Sequence, residues 1–370
     1  MFYLRLATIH FHSHRSFTLK RNMSLQRLVF PASVLILLLC SNLSFAQDKD
    51  RIFPTKGGAA ATGKIIERTK DKVVIENSKG TPQNYATNEI LRIVFDGEPP
   101  QLSRAKDNIV QAQYDQAKDE LSKVVMDSLK SEDMKEEYLF YKTYLAGAQA
   151  LRGQGDPSEA SKALLAWAGK YRTSHNFYSA SEMLGNLAIA SGTPDQAAKF
   201  FGAFAGAPFS DYKLRGSFLQ GKALMLLSQN SEAKAKFAVL TQAKVSDPPS
   251  LKLQKLATIA ILKCDAAEGK SDQAITALEK MVDEGDSTDA ELFADLYNAI
   301  GSIHQSQNNH YEAVLSFLKT DLLYSSQAEA HAEALYNLTQ LWTKVGEPLQ
   351  STDAKSRLAK LYPTSPWVKK

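Results

Sequence analysis

The chain has 370 residues, 44 Lys and Arg against 40 Asp and Glu, two Cys, 44% hydrophobic and 23% charged residues. This length and apolar share can fill a core, and the composition excludes collagen, a disulfide scaffold and wholesale disorder. The formal charge of +4 sits in one place. Residues 1–46 hold Arg5, Arg15, Lys20, Arg21 and Arg27 and no acid, leaving 39 bases against 40 acids, a balance of −1. Without a global basic field, nucleic acid is not the expected partner.

Leu28–Cys40 is a 13-residue apolar run with Arg27 before it and Ser44-Phe45-Ala46 after it. A spanning helix needs about 20 apolar residues, so the run suits the core of a secretory signal peptide. Cleavage is expected between Ala46 and Gln47, with Met23 as a candidate true start; a retained anchor is the alternative reading. Leu39 is not the small residue that normally precedes a lipidated Cys, so Cys40 is not expected to carry lipid. His10, His12 and His14 fall in this leader and are given no role. After cleavage only Cys264 remains, in the apolar stretch Leu253–Ala267. It is expected to pack in a core, as suits a lone thiol in an oxidising compartment. The expected address is the periplasm or cell envelope, with secretion as the alternative, and no membrane span is expected after cleavage.

Residues 47–56 are expected to be flexible. From Gly57 to Phe95 the apolar period is two. Gly63–Thr69 and Lys72–Asn77 read as strands joined at Lys70-Asp71, followed by a Ser78-Lys79-Gly80 turn, a weaker strand Pro82–Thr87 and a strong one Ile90–Phe95. So short a sheet must close on itself or pack on the next stretch of chain. The order of turn, hairpin and final apolar strand resembles an SH3-like barrel over 57–96. The resemblance implies either a cap on the next domain or a docking module for peptide or cell-wall polymer. Pro99 and Pro100 cannot join a ladder, which places a Pro/Gly linker at 97–101.

Over 102–370 the period becomes helical, and a unit recurs. A helix and a turn lead to a second helix carrying Ala with a bulky apolar residue four positions on: Ala117/Leu121, Ala160/Leu164, Ala197/Phe201, Ala233/Phe237, Ala274/Leu278 and Ala313/Phe317. The alanines are 43, 37, 36, 41 and 39 residues apart. Small residues at Gly185, Gly221 and Gly301 and at these alanines let two helices approach closely. The pattern, best at Leu184-Gly185, Ala197, Phe201 and Pro208, resembles the tetratricopeptide repeat (TPR). The family's first-helix Trp is absent and the spacing exceeds its 34 residues throughout. The ending Tyr362-Pro363-Thr364-Ser365-Pro366 is similar to those of bacterial envelope TPR proteins.

Sequence signals for chemistry are few. Gly269-Lys270-Ser271 lacks the glycine at position 264 that a phosphate-binding loop requires, and Gly153-Gln154-Gly155 lacks a third glycine at 158. His175, His304, His310 and His331 include no pair at i, i+4 and no HExxH motif, and no GxSxG elbow occurs. His304 and His310 are expected to flank a repeat turn. Asp119-Glu120 and Glu136-Glu137 lie among Lys118, Lys123 and Lys135, as solvated helix faces do. No catalytic residue, metal site or cofactor is expected.

The fold expected is mainly α: a right-handed solenoid of six or seven TPR-like helix pairs behind a small all-β module. The TPR resemblance implies that first helices line a groove for a partner segment. In that register Asn186, Arg215, Lys222, Lys263 and Asn298 point into the groove, the amides towards a peptide backbone and the cations towards a carboxylate or acidic segment. The function read from the sequence is a non-enzymatic interaction scaffold for envelope proteins. The alternatives are a cell-wall polymer-binding accessory acting through the β module, or an enzyme whose site forms between repeats.

Overall fold

The computed structural model describes residues 49–369; the leader and its cleavage site lie outside the described residues. Five antiparallel strands come first: β1 (Asp50–Pro54), β2 (Ala61–Arg68), β3 (Lys72–Glu76), β4 (Pro82–Ala86) and β5 (Ile90–Val94), in the order β4-β3-β2-β1-β5. β2 carries a bulge between Ile65 and Glu67, and a 3-10 turn at Thr87–Glu89 connects β4 to β5.

Two boundaries differ from expectation. The segment 47–56 is not wholly flexible, because β1 pairs with both β2 and β5. In β1 only Ile52 is fully buried, and the strand is fixed by non-local bonds. The Asp50 carboxylate accepts from the backbone N–H groups of Ile65 (2.7 Å) and Asp96 (2.8 Å). The stretch 97–101 is a turn leading directly into the first helix, with Gly97 at φ 68° and Pro99-Pro100 as the helix start. No hinge separates the two. Ile52, Val73, Ile75, Ile93 and Phe95 of the sheet share one core with Leu102, Ala105 and Ile109 of the first helix.

Fourteen α-helices come next among the described residues, in seven consecutive hairpins: α1 (Pro100–Val110) with α2 (Tyr114–Ser122), α3 (Glu132–Leu151) with α4 (Pro157–Lys170), α5 (Phe177–Ala190) with α6 (Pro194–Ala205), α7 (Ser210–Leu226) with α8 (Asn230–Thr241), α9 (Pro248–Ala267) with α10 (Ser271–Asp283), α11 (Ala290–Ser306) with α12 (His310–Leu323), and α13 (Ala328–Lys344) with α14 (Pro348–Leu361). The architecture is a TPR-like α-solenoid behind a small antiparallel sheet.

Each hairpin turns by one device. The residue after the first helix's last turn takes positive φ: Ala112, Gly153, Gly192, Ser228, Gly269, Asn308 or Gly346, with Gly155 a second one in the α3–α4 turn. The next residue's N–H then bonds the carbonyl five positions back, as in Gln113 to Asn108, Thr193 to Ala188 and Asn309 to His304, at 2.8–2.9 Å. This cap satisfies carbonyls that the helix end would orphan. Glycine is the usual occupant, and three turns manage without it, so a search for glycine alone misses the period. His304 and His310 do flank one such turn.

The small-and-bulky pairs are core. Ala117, Ala197, Ala233 and Ala313 are fully buried, as are Leu164, Phe237, Leu278 and Phe317. The seventh pair, Ala354 and Leu358 of α14, continues the series. Cys264 is fully buried, and burial pushes its thiol up to about 11. At the C-terminal end, the His331 ring bridges the Tyr362 hydroxyl (2.7 Å) and Asp321 (2.7 Å), and Asp321 also pairs with Arg357. Thr364 lies so close to Gly153 that a Cβ there would collide with it, so the segment after α14 reaches back to the α3–α4 turn.

Candidate functional site: the concave face of the array

The first helices of the hairpins form the inner layer. α3 packs on α5, and α7, α9, α11 and α13 pack in succession. Two of the five residues expected in the groove, Lys222 and Lys263, converge there. Lys222 of α7 reaches across to Glu329 of α13, Nζ to Oε1 2.8 Å, bridging elements 107 residues apart in sequence. Lys263 of α9 stands 3.5 Å from Glu333 of α13. Asp295 of α11 completes the cluster; burial pushes its carboxyl up to about 6, against the pull of Lys222 and Lys263.

Lys222 and Glu329 keep 45% and 79% of their side-chain surface open to water. They are deep within the concave face yet wetted, as expected of a groove and not of a core. The Lys222 ammonium is held above the ordinary lysine range: desolvation pulls it down, and Glu329, Asp295 and Glu333 outweigh that. Glu329 is held down chiefly by Lys222.

Asn298 corrects the expectation of an open amide. It is 1% exposed, and its Nδ2 donates to the Ala330 carbonyl at 2.8 Å, fastening α11 to α13. The same amide group is 3.4 Å from Glu333 Oε2, so Asn298 positions the groove's carboxylate. α11 and α13 approach so closely that the inner face of α11 is covered at this point. Arg215, 63% exposed, is paired with Glu182 of α5 at 2.6 Å. Asn186 is half-buried on α5, one turn beyond Glu182 and apart from the charged cluster.

The polarity of the groove also differs from expectation. Each cation predicted to await a partner's carboxylate already has one of its own. The cluster counts two ammonium groups, Lys222 and Lys263, against three carboxylates, Asp295, Glu329 and Glu333. It therefore has room for a cation rather than another anion.

A second charged cluster, missed from the sequence, joins the sheet to the helices. Lys106 of α1 is fully buried, with Nζ 2.8 Å from Glu98, 3.0 Å from Glu137 and 2.9 Å from the Ile93 carbonyl. Arg68 of β2 adds contacts to Asp133 (2.6 Å) and Glu136 (2.7 Å), and Asn176 donates to Glu137 at 2.6 Å. Further along, Tyr178 donates to Asp71 (2.8 Å) and Asn88 to Asp211 (2.9 Å), so the sheet's turns reach α5 and α7. The centre of this network, Lys106 with Glu98 and Glu137, is sealed from solvent, whereas Asp133 and the Asn88–Asp211 bond lie at the surface.

Among the described residues no group of three or more His, Cys, Asp or Glu has a metal-binding arrangement, and no helix is long and apolar enough to cross a membrane. No protein-family model and no curated protein sequence matches the chain. Among solved structures it is similar to NprR in complex with its cognate peptide NprX, at 13% identity over 70% of this chain and 77% of that one, TM-score 0.47. It is also similar to pilF of Pseudomonas aeruginosa, at 14% identity over 63% of this chain and 96% of that one, TM-score 0.37. A third similarity is to the P58(IPK) TPR domain, at 15% identity over 73% of this chain and 75% of that one, TM-score 0.25.

Proposed function

We propose that the chain is an exported, non-enzymatic scaffold of the bacterial envelope that holds an extended segment of a partner protein along its concave face. The observation that carries this reading is the wetted charge cluster of Lys222, Lys263, Asp295, Glu329 and Glu333, contributed by four successive first helices. Its excess carboxylate suits a segment that brings a Lys, an Arg or an amino terminus, and preformed geometry spares the scaffold an ordering cost. The five-strand sheet, with its 3-10 turn before β5, is read as an SH3-like cap. Its fusion with α1 in one core favours a capping role over an independent cell-wall docking module.

The test is a photo-crosslinking residue at position 186 or 215, with the exported chain in its own envelope. The reading expects a discrete adduct with another protein, lost on Glu333→Lys while the melting temperature is kept. Recovery of the chain alone, or an adduct indifferent to Glu333, would sink it.

A further inference from the structure

α11 has two working faces. Asp295 and Asn298 serve the groove, whereas Tyr297, Ile300 and His304, at i, i+3 and i+7, turn towards the outer layer. There they floor a cleft of about 650 Å³ between α10 and α12. α12 lines it with a stripe of its own. Leu315 and Leu322 are 55% and 72% exposed and share a face with Leu318, and Leu323 beside them is 66% exposed; Tyr311, 69% exposed, continues the face beyond the cleft. Among the described residues, this one helix carries four of the fifteen large apolar side chains left in water. A soluble surface tolerates scattered apolar residues, but a contiguous stripe beside a cleft marks an interaction surface.

The rims are acidic. Glu279 and Asp283 stand one turn apart on α10, and Glu312 stands on α12; all three are exposed, and none forms an ion pair with a described residue. The one lysine in the lining, Lys319, lies over the Tyr297 ring at 4.7 Å. Elsewhere on the array the surface carboxylates Glu159, Glu284 and Glu291 each have a lysine. An apolar floor between unpaired carboxylates suits a partner that is apolar on one face and cationic on its flanks.

We infer that the α10–α12 cleft docks a basic amphipathic helix of a partner protein, its apolar residues at i, i+3, i+4 and i+7 seated on Leu315, Leu318 and Leu322 and its Lys or Arg flanks on Glu279, Asp283 and Glu312. An acidic segment or an anionic membrane would meet uncompensated repulsion at the same rims. The surface is separate from the concave groove, and its occupancy does not depend on the groove's.

The experiment titrates the purified chain with three labelled helical peptides of about five turns. One carries a Leu stripe with Lys flanks, one the same stripe with Glu flanks, and one the Lys composition with the Leu residues scattered round the helix. Only the first is expected to bind saturably. Its affinity should fall at least about tenfold in Glu279→Lys/Asp283→Lys/Glu312→Lys and in Leu315→Ser/Leu322→Ser, and stay unchanged in Lys222→Ala. All of these side chains are exposed, so the variants are expected to keep the parent melting temperature. Equal binding of the scattered peptide, indifference to both variants, or a self-associating chain that Leu322→Ser makes monomeric would overturn the proposal.

Discussion

A Cβ placed on Gly185 of α5 would stand 2.5 Å from Cδ1 of Phe201 on α6, and nearer still to its Cε1. The two helices are as close as they are because that methyl is missing. The contact recurs between Gly221 and Phe237 at 2.6 Å and between Gly301 and Phe317 at 2.9 Å. In each case the facing ring is buried and cannot swing away. Replacing the glycine by alanine gains roughly 1 kcal/mol of helix propensity but forces overpacking that costs about 1–3 kcal/mol. Gly185→Ala is therefore expected to destabilise most and Gly301→Ala least, with Phe201→Leu restoring part of the loss in the Gly185→Ala background. Urea unfolding of the three variants checks this; an equal loss at all three sites would show that ring contact is not what sets the cost.

Lys106 is held by Glu98 and Glu137 at 2.8 and 3.0 Å, and all three side chains are fully buried. Burial pushes Glu137 up, and Lys106, helped by His175 and Arg68, outweighs it, so the carboxyl stays below the ordinary range. Lys106→Met would leave Glu98 buried without its cation and Glu137 with only the more distant Arg68 at 3.7 Å, a loss of about 3–5 kcal/mol. Adding Glu98→Gln and Glu137→Gln is expected to recover part of it. Loss of stability should be accompanied by faster proteolysis across β1 to α3, because sheet and helices share that core. A Lys106→Met protein as stable as the parent would mean that the pair is not what joins them.

What could be read from the sequence was what is local in it. Ala233 and Phe237, or Ala313 and Phe317, sit one helical turn apart, and their period exposes the repeat. β1 was not legible because Asp-Arg-Ile-Phe-Pro offers one fully buried side chain, and its pairing with β5 spans some 40 residues of chain. Lys106 looks like any solvated helix residue until Glu137, 31 positions on, folds against it. In the groove the helical register carries Lys222 and Lys263 to the inner layer, but their partners lie on α13, which only the curl of the array brings near. The same register says nothing of how deeply Asn298 is covered, because helix approach is a tertiary quantity.

His175 is buried beside Glu137, its Nε2 3.5 Å from Oε1, and burial pushes its ring down to about 4. In the unfolded chain the ring titrates near 6.5. Between those values the unfolded state takes up a proton that the folded state refuses. This contribution to stability is therefore whole above pH 6.5, falls as the pH drops towards 4 and is flat below, amounting to at most about 3 kcal/mol. His175→Gln should flatten that part of the profile. Urea midpoints at pH 7, 6, 5 and 4 decide it, and parallel profiles for variant and parent would refute the assignment.

Asp295 titrates in the opposite sense. Its carboxyl holds a proton up to about 6 in the fold, against the ordinary 3.8, because burial and the neighbouring Glu333 disfavour its charge more than Lys222 and Lys263 favour it. Over that interval the folded state binds more protons than the unfolded one, so stability from this site falls as the pH rises and is lost in full above pH 6. Asp295→Asn is expected to stabilise the chain at pH 7 by about 1 kcal/mol, with solvent access to the groove reducing the larger figure that full burial would give, and to do little at pH 4. The Asp295 charge that is costly in this fold is the one a partner's cation would relieve. Binding of a lysine-bearing segment to the concave face should therefore be tighter at pH 7 than at pH 5, and the Asn variant should lose that difference. Calorimetric titration of the crosslinked partner's segment at the two pH values makes the comparison. Tighter binding at pH 5 would assign the groove to an anionic ligand instead.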